Sequence, residues 1–122
     1  MNNLQDLETV GPKPIWEGVT ARIVEGDRIT MAVVELSPGG VVPEHGHENE
    51  QIGLVIQGRV TFTVGEETRQ LGPGGTWRIP SNTPHRVTVG EDGAVVLDIF
   101  SPPRSDWQQI DPEAVRRPLW PR

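Results

Sequence analysis

The sequence predicts a single all-β domain, an antiparallel sandwich or barrel, and three observations carry that expectation. Its 122 residues suffice for one packed core and are too few for two ordinary ones. With 14 glycines and 12 prolines the chain must turn often, which argues against long helices. Short runs rich in Val, Ile, Thr and aromatic residues recur between Gly/Pro/Asn/Asp clusters, the signature of strands joined by turns.

In chain order, residues 1–14 are polar and unpatterned. They form an expected N-terminal arm, either flexible or ordered by docking. The barrel is expected over residues 15–100, with strands at 15–24, 28–36, 52–57, 59–64, 67–71, 76–79, 86–89 and 94–100. Glu25-Gly26-Asp27, Ser37-Pro38-Gly39-Gly40, Gln57-Gly58, Gly65-Glu66, Gly72-Pro73-Gly74-Gly75, Pro80 to Pro84 and Gly90-Glu91-Asp92-Gly93 separate them as turns. Within 59–64, Val60, Phe62 and Val64 alternate with Arg59, Thr61 and Thr63, so one face points to the core. Residues 101–122 read as an irregular tail, with Trp107 and Trp120 pinning it to the barrel or a partner subunit. Asp111-Pro112-Glu113-Ala114-Val115 is placed to begin one helical turn, because Asp caps well and Pro suits the first helical position.

Composition excludes several functions. A net charge of -6 provides no basic surface to track a phosphate backbone, so nucleic acid is not an expected partner. The absence of cysteine removes disulfides, thiolate metal sites and thiol nucleophiles, leaving only N and O ligands for any metal. Residues 1–11 lack the basic start and apolar stretch of a signal peptide, and no apolar run approaches the roughly 20 residues that span a bilayer. A soluble, cytoplasmic protein with no membrane partner is expected.

The three histidines form the first chemical signal. His45 and His47 are two apart, so on an extended strand both imidazoles share a face that continues to Asn49 and Gln51, with Glu48 and Glu50 opposite. His85 follows the Pro80–Pro84 turn, and a closed sheet brings such distant positions together. Two imidazoles at strand spacing and a third from across a barrel suit zinc, iron, nickel or copper.

These residues resemble the motifs of the cupins, double-stranded β-helix barrels of jelly-roll type. Gly39, His45, His47, Gln51 and Gly58 fall at the spacing of the first cupin motif, with Gln in its Glu position. Gly74, Pro80 and His85 match the second, in which Asn82 replaces a glycine and Val89 an asparagine. Asn tolerates a left-handed turn, so the backbone is kept. The resemblance implies that His45, His47, Gln51 and His85 bind one divalent metal ion, of which zinc, nickel, manganese and iron are candidates. Three imidazoles and a neutral amide leave such an ion its full double charge. That favours anionic ligands and Lewis-acid chemistry over oxygen-activating iron chemistry. Small cupins pair through outer strands, so a homodimer is expected, with the arm able to cross to a neighbour.

A second signal lies near the last strand. In residues 94–100, period two places Val96, Asp98 and Phe100 on one face. An inward Asp98 is a buried carboxylate that needs a partner or a task. It is either a proton acceptor near the metal or half of a salt bridge to Arg104, whose guanidinium also suits a bidentate carboxylate clamp. Asp98-Ile99-Phe100-Ser101-Pro102-Pro103-Arg104 is similar to the closing segment of the KdgF-type pectin-degradation cupins. Members of that subgroup open the ring of 4,5-unsaturated uronates to a linear keto acid. The likeness implies Asp98 as acid/base, Phe100 lining the pocket and Arg104 holding the substrate carboxylate. This chain has three residues between His47 and Gln51 where that subgroup has four, so the likeness bears on site type more than on substrate. Trp16 and Trp77 either stack on a sugar or fill the core.

The expected function is metal-dependent lyase or isomerase chemistry on a small anionic, sugar-derived or carboxylate ligand. The alternatives are a binding or sensing module without turnover, an iron-dependent dioxygenase, and a purely structural metal.

Overall fold

Alternating burial along eight strands organises the chain in the computed structural model, which describes residues 3–122. In order these are β1 (Lys13–Trp16), β2 (Val19–Glu25), β3 (Thr30–Leu36), β4 (Val41–His45), β5 (Glu50–Val64), β6 (Glu67–Leu71), β7 (Thr76–Ile79) and β8 (His85–Ser101). Every pairing is antiparallel. The expected all-β class is therefore observed.

β5 and β8 generate the architecture. They pair with each other along most of their length and each passes from one layer to the other. In the first layer, residues 94–101 of β8 lie between β3 and residues 50–58 of β5, with β1 and β2 beyond β3 and β7 beyond β5. In the second, residues 85–89 of β8 lie between β4 and residues 60–64 of β5, with β6 outside. Val34, Leu36 and Val96 from one layer meet Val42, Val60, Phe62 and Val87 from the other, and all seven are buried.

Two expected turns are bends within long strands. At Gln57-Gly58 the register slips while pairing continues; Gly58 has φ 84°, and a Cβ there would overlap Gly93 O. The Gly90–Gly93 run likewise lies inside β8. The single strand expected at 15–24 is two, β1 and β2, separated at Glu17-Gly18. β4 carries Pro43 among exposed residues, a pattern that hides a strand. Asn82 does adopt the left-handed conformation, φ 60°.

The termini pack on each other. Glu113 N donates to Pro12 O (2.7 Å), which holds residues 111–115 out of the expected helical turn. The only α-helical turn among the described residues is α1 (Ser105–Gln108), which buries Trp107. Trp120 stays 39% exposed. Of the expected arm, Met1 and Asn2 lie outside the described residues, residues 7–9 form a 3-10 turn, and Lys13-Pro14 already belong to β1. Outside the barrel, Glu35 accepts from Arg22 Nη1 (2.9 Å), Arg116 Nη1 and Nη2 (3.1 Å each) and Leu119 N (2.8 Å), tying the tail to β2 and β3.

Candidate metal centre and catalytic cleft

Cross-strand pairing brings the distant histidines together. His45 ends β4 directly opposite His85, which begins β8, and their rings are 4.2 Å apart between centroids. His47 does not share a strand with His45, contrary to the period-two expectation, because the chain leaves the sheet after His45. Instead its loop is fixed by Asn82 N donating to His47 O (2.7 Å) and by His47 Nδ1 donating to Asn49 O (2.9 Å). One nitrogen from each of the three rings lies within 4.8 Å of the others.

The protonation pattern suits a cation. His45 Nδ1 donates to Pro43 O (2.8 Å) and His85 Nδ1 to Thr83 O (2.9 Å), so with His47 every Nδ1 carries a hydrogen and Nε2 is the nitrogen of each ring left to ligate. Burial, reinforced by the charges of His45, His47 and Arg104, pushes His85 down to about 4. Burial and the Arg104 charge also lower His47. Both are neutral near pH 7, as metal ligands must be.

Gln51, inward on β5, links these rings to Asp98. Its Nε2 donates to Asp98 Oδ1 (2.8 Å), which turns its Oε1 to within 3.2 Å of His47 Nε2. With Nε2 of the neutral ring bare, two lone pairs face each other, an arrangement that a cation beside them reconciles. The donor set therefore fits a divalent ion held by three imidazoles and an amide oxygen.

Asp98, Phe100 and Val96 face the interior as their spacing predicts, and all three line the cavity. Burial pushes Asp98 up to about 6, against the lowering pull of the Gln51 and Trp77 hydrogen bonds and the Arg104 charge. The alternative salt bridge between Asp98 and Arg104 is not formed. Arg104 Nε and Nη2 instead grip Asp106 Oδ1 and Oδ2 (3.0 and 2.9 Å), and its Nη1 has no hydrogen-bond partner among the described residues. Its guanidinium lies over the Trp107 and Phe100 rings, 4.0 and 4.7 Å from their centroids. Phe100 stands edge-on to His47 at 5.8 Å.

Together these residues bound a cavity of about 60 Å³ between the layers. His45, Gln51, His85, Asp98 and Arg104 form its polar side, and Val34, Val60, Phe62 and Val87 are among its apolar walls. Trp16 stands edge-on to His45 (4.8 Å) and is 39% exposed, which places it at the rim. Sequence reasoning missed two supporting residues. Asn49 Nδ2 donates to Pro102 O (2.5 Å) and Pro103 O (3.2 Å), and buried Thr30 Oγ1 accepts from Arg104 N (3.0 Å). Their partners lie 53 and 74 residues away, so only the closed sheet reveals the roles.

Comparison with known proteins agrees with this geometry. The family model described as Cupin domain matches residues 32–100. The pectin degradation protein KdgF of Dickeya dadantii is 30% identical over 95 residues, which cover 76% of this chain and 86% of that protein. The structure of KdgF from Halomonas sp. superposes with a TM-score of 0.79 at 29% identity, covering 87% of this chain and 98% of that one. An RmlC-like cupin from Shewanella frigidimarina superposes with a TM-score of 0.81 at 20% identity, over 87% and 96% of the two chains, a likeness of fold.

Proposed function

We propose that this chain, which belongs to the cupin family, is a metal-dependent isomerase that opens the ring of a small 4,5-unsaturated uronate. The observation that carries the reading is the chain of contacts from His47 through Gln51 to Asp98, which puts a carboxylate of raised pKa beside a three-histidine centre. His45, His47, Gln51 and His85 would hold a divalent ion, which would supply Lewis acidity toward a substrate oxygen. The similarity to two KdgF proteins supports the substrate class.

Ring opening needs no net oxidant. The anomeric hydroxyl loses its proton, the bond from the anomeric carbon to the ring oxygen breaks to leave an aldehyde and an enolate, and the enolate becomes a ketone by gaining that proton on the double-bond carbon remote from its oxygen. One group that takes and returns a proton suffices, and a carboxyl poised near 6 is suited to both roles. Arg104 contributes positive charge and the unpaired Nη1 for the uronate carboxylate, with Phe100 as a flat apolar wall. The present cavity holds a few waters, so a sugar ring enters only when the rim at Trp16 widens.

The test is incubation of metal-loaded protein with 4,5-unsaturated uronate monomer, following loss of the ultraviolet absorbance of the conjugated double bond. Turnover that disappears on chelation and in Asp98→Asn, with metal content intact in that variant, is the expected result. The small cavity favours a second reading, a binding module for a compact anion. Tight binding without turnover, unaffected by Asp98→Asn, would establish it in place of the first.

A further inference from the structure

We propose that Trp77 is a positioning residue, whose indole N–H reaches across the missing side chain of Gly53 to orient the Asp98 carboxylate toward the cavity. The inference rests on the reading of Asp98 as the proton-transfer group and adds the residue that aims it.

Register supplies the first argument. Gly53 of β5 lies directly opposite Trp77 on β7 and directly opposite Asp98 on β8, so the two side chains flank it on neighbouring strands. Trp77 Nε1 donates to Asp98 Oδ1 at 2.8 Å through the space a side chain would fill. A Cβ at position 53 would overlap Asp98 Oδ1 and come within 2.5 Å of both Trp77 Nε1 and Leu97 O. Glycine at 53 is thus a requirement of this contact.

The distribution of donors supplies the second. Both Gln51 Nε2 and Trp77 Nε1 donate to Oδ1, while Oδ2 accepts no hydrogen bond among the described residues. Oδ2 is nevertheless not among the fully enclosed unpaired atoms, and Asp98 lines the cavity. Oδ2 is therefore the oxygen presented to a ligand. Trp77 itself does not line that cavity; its ring stacks on Phe62 at 4.5 Å and 25°, so it acts through Asp98. A buried indole N–H needs an acceptor, and a neutral one would satisfy it equally. The pairing with a buried carboxylate is what gives the contact an orienting effect.

The test combines a spectrum with kinetics. In ¹⁵N-tryptophan-labelled protein, the Trp77 indole signal, assigned by its loss in Trp77→Phe or by its proximity to Phe62, is expected to exchange slowly with deuterium. It is also expected to shift more than the other three indole signals in Asp98→Asn. Trp77→Phe keeps an aromatic ring beside Phe62, removes the donor and trims the buried ring, so the split between kcat and KM and the metal content separate loss of the donor from loose packing. Its kcat on unsaturated uronate is expected to fall about tenfold or more, with KM within twofold and metal content unchanged. An indole proton that exchanges as fast as that of Trp120 and ignores Asp98→Asn overturns the proposal. So does full kcat in Trp77→Phe where Asp98→Asn is inactive. If neither wild type nor Asp98→Asn turns over uronate, the functional reading fails while the indole signal still decides the positioning. Should Trp77→Phe fail to fold, the same wild-type and Asp98→Asn spectra decide it.

Discussion

Asp98→Asn is expected to stabilise the metal-free protein at neutral pH and far less in acid. The Asp98 carboxyl is 7% exposed and is pushed from 3.8 up to about 6, chiefly by burial. Between those values the folded state holds a proton that the unfolded state has released, so stability falls as pH rises through the window. At about 1.4 kcal/mol per pH unit, the loss reaches about 3 kcal/mol above pH 6. An isosteric Asn keeps an acceptor for Gln51 and Trp77 and removes the titration. The stability difference between variant and wild type is therefore about 0.6 kcal/mol at pH 4 and about 3 kcal/mol at pH 7, both in favour of the variant, the latter roughly 10 °C in Tm for a chain of this size. His85 has the opposite sign. Its pKa falls from 6.5 to about 4, so it adds stability as pH rises from 4 to 6.5, again about 3 kcal/mol. In wild type the two offset each other; in Asp98→Asn the histidine limb is unmasked. Urea unfolding at pH 4, 5, 6 and 7 measures both curves. A variant-minus-wild-type difference that does not change with pH refutes the assignment of a buried, proton-holding carboxyl at 98.

The remaining expectations concern the metal, the arginine and the tail latch. Elemental analysis of protein purified without chelator should give about one divalent ion per chain in wild type and far less in His45→Ala or His85→Ala, since each removes one of three imidazoles at the centre. Arg104→Lys loses the planar fork that grips Asp106 and stacks on Trp107, so KM for a uronate should rise more than tenfold while the fold persists by circular dichroism. Glu35→Ala strands buried Arg22 and should cost about 3–5 kcal/mol in denaturant unfolding. Arg116→Ala removes a half-exposed partner and should cost about 1 kcal/mol or less by the same measurement.

The fold class, the inward face of the last strand and the three histidines of the centre could be read from the order of the amino acids. These depend on local rules: turn residues cap strands, period two sorts faces, and a few motif positions carry the three histidines that converge. The left-handed Asn82 and the inward Val96, Asp98 and Phe100 were legible for that reason. Tertiary structure alone decided how these pieces meet. Gln57-Gly58 and Gly90–Gly93 have turn composition, yet antiparallel pairing of β5 with β8 runs on both sides of them, from Gly58 opposite Ala94 to Val60 opposite Val89, and makes them irregularities between the layers. His47 reaches the centre by a loop bonded to Asn82, 35 residues away, rather than by strand alternation. Arg104 turns to Asp106 and not to Asp98, because Thr30 and two aromatic rings hold it where Asp106 is nearest. The contact of Trp77 with Asp98 depends on an absent side chain on the strand between them, and no local pattern records it. Spacing along a chain reports which face a side chain takes, whereas hydrogen bonding across a closed sheet selects which side chain it meets there.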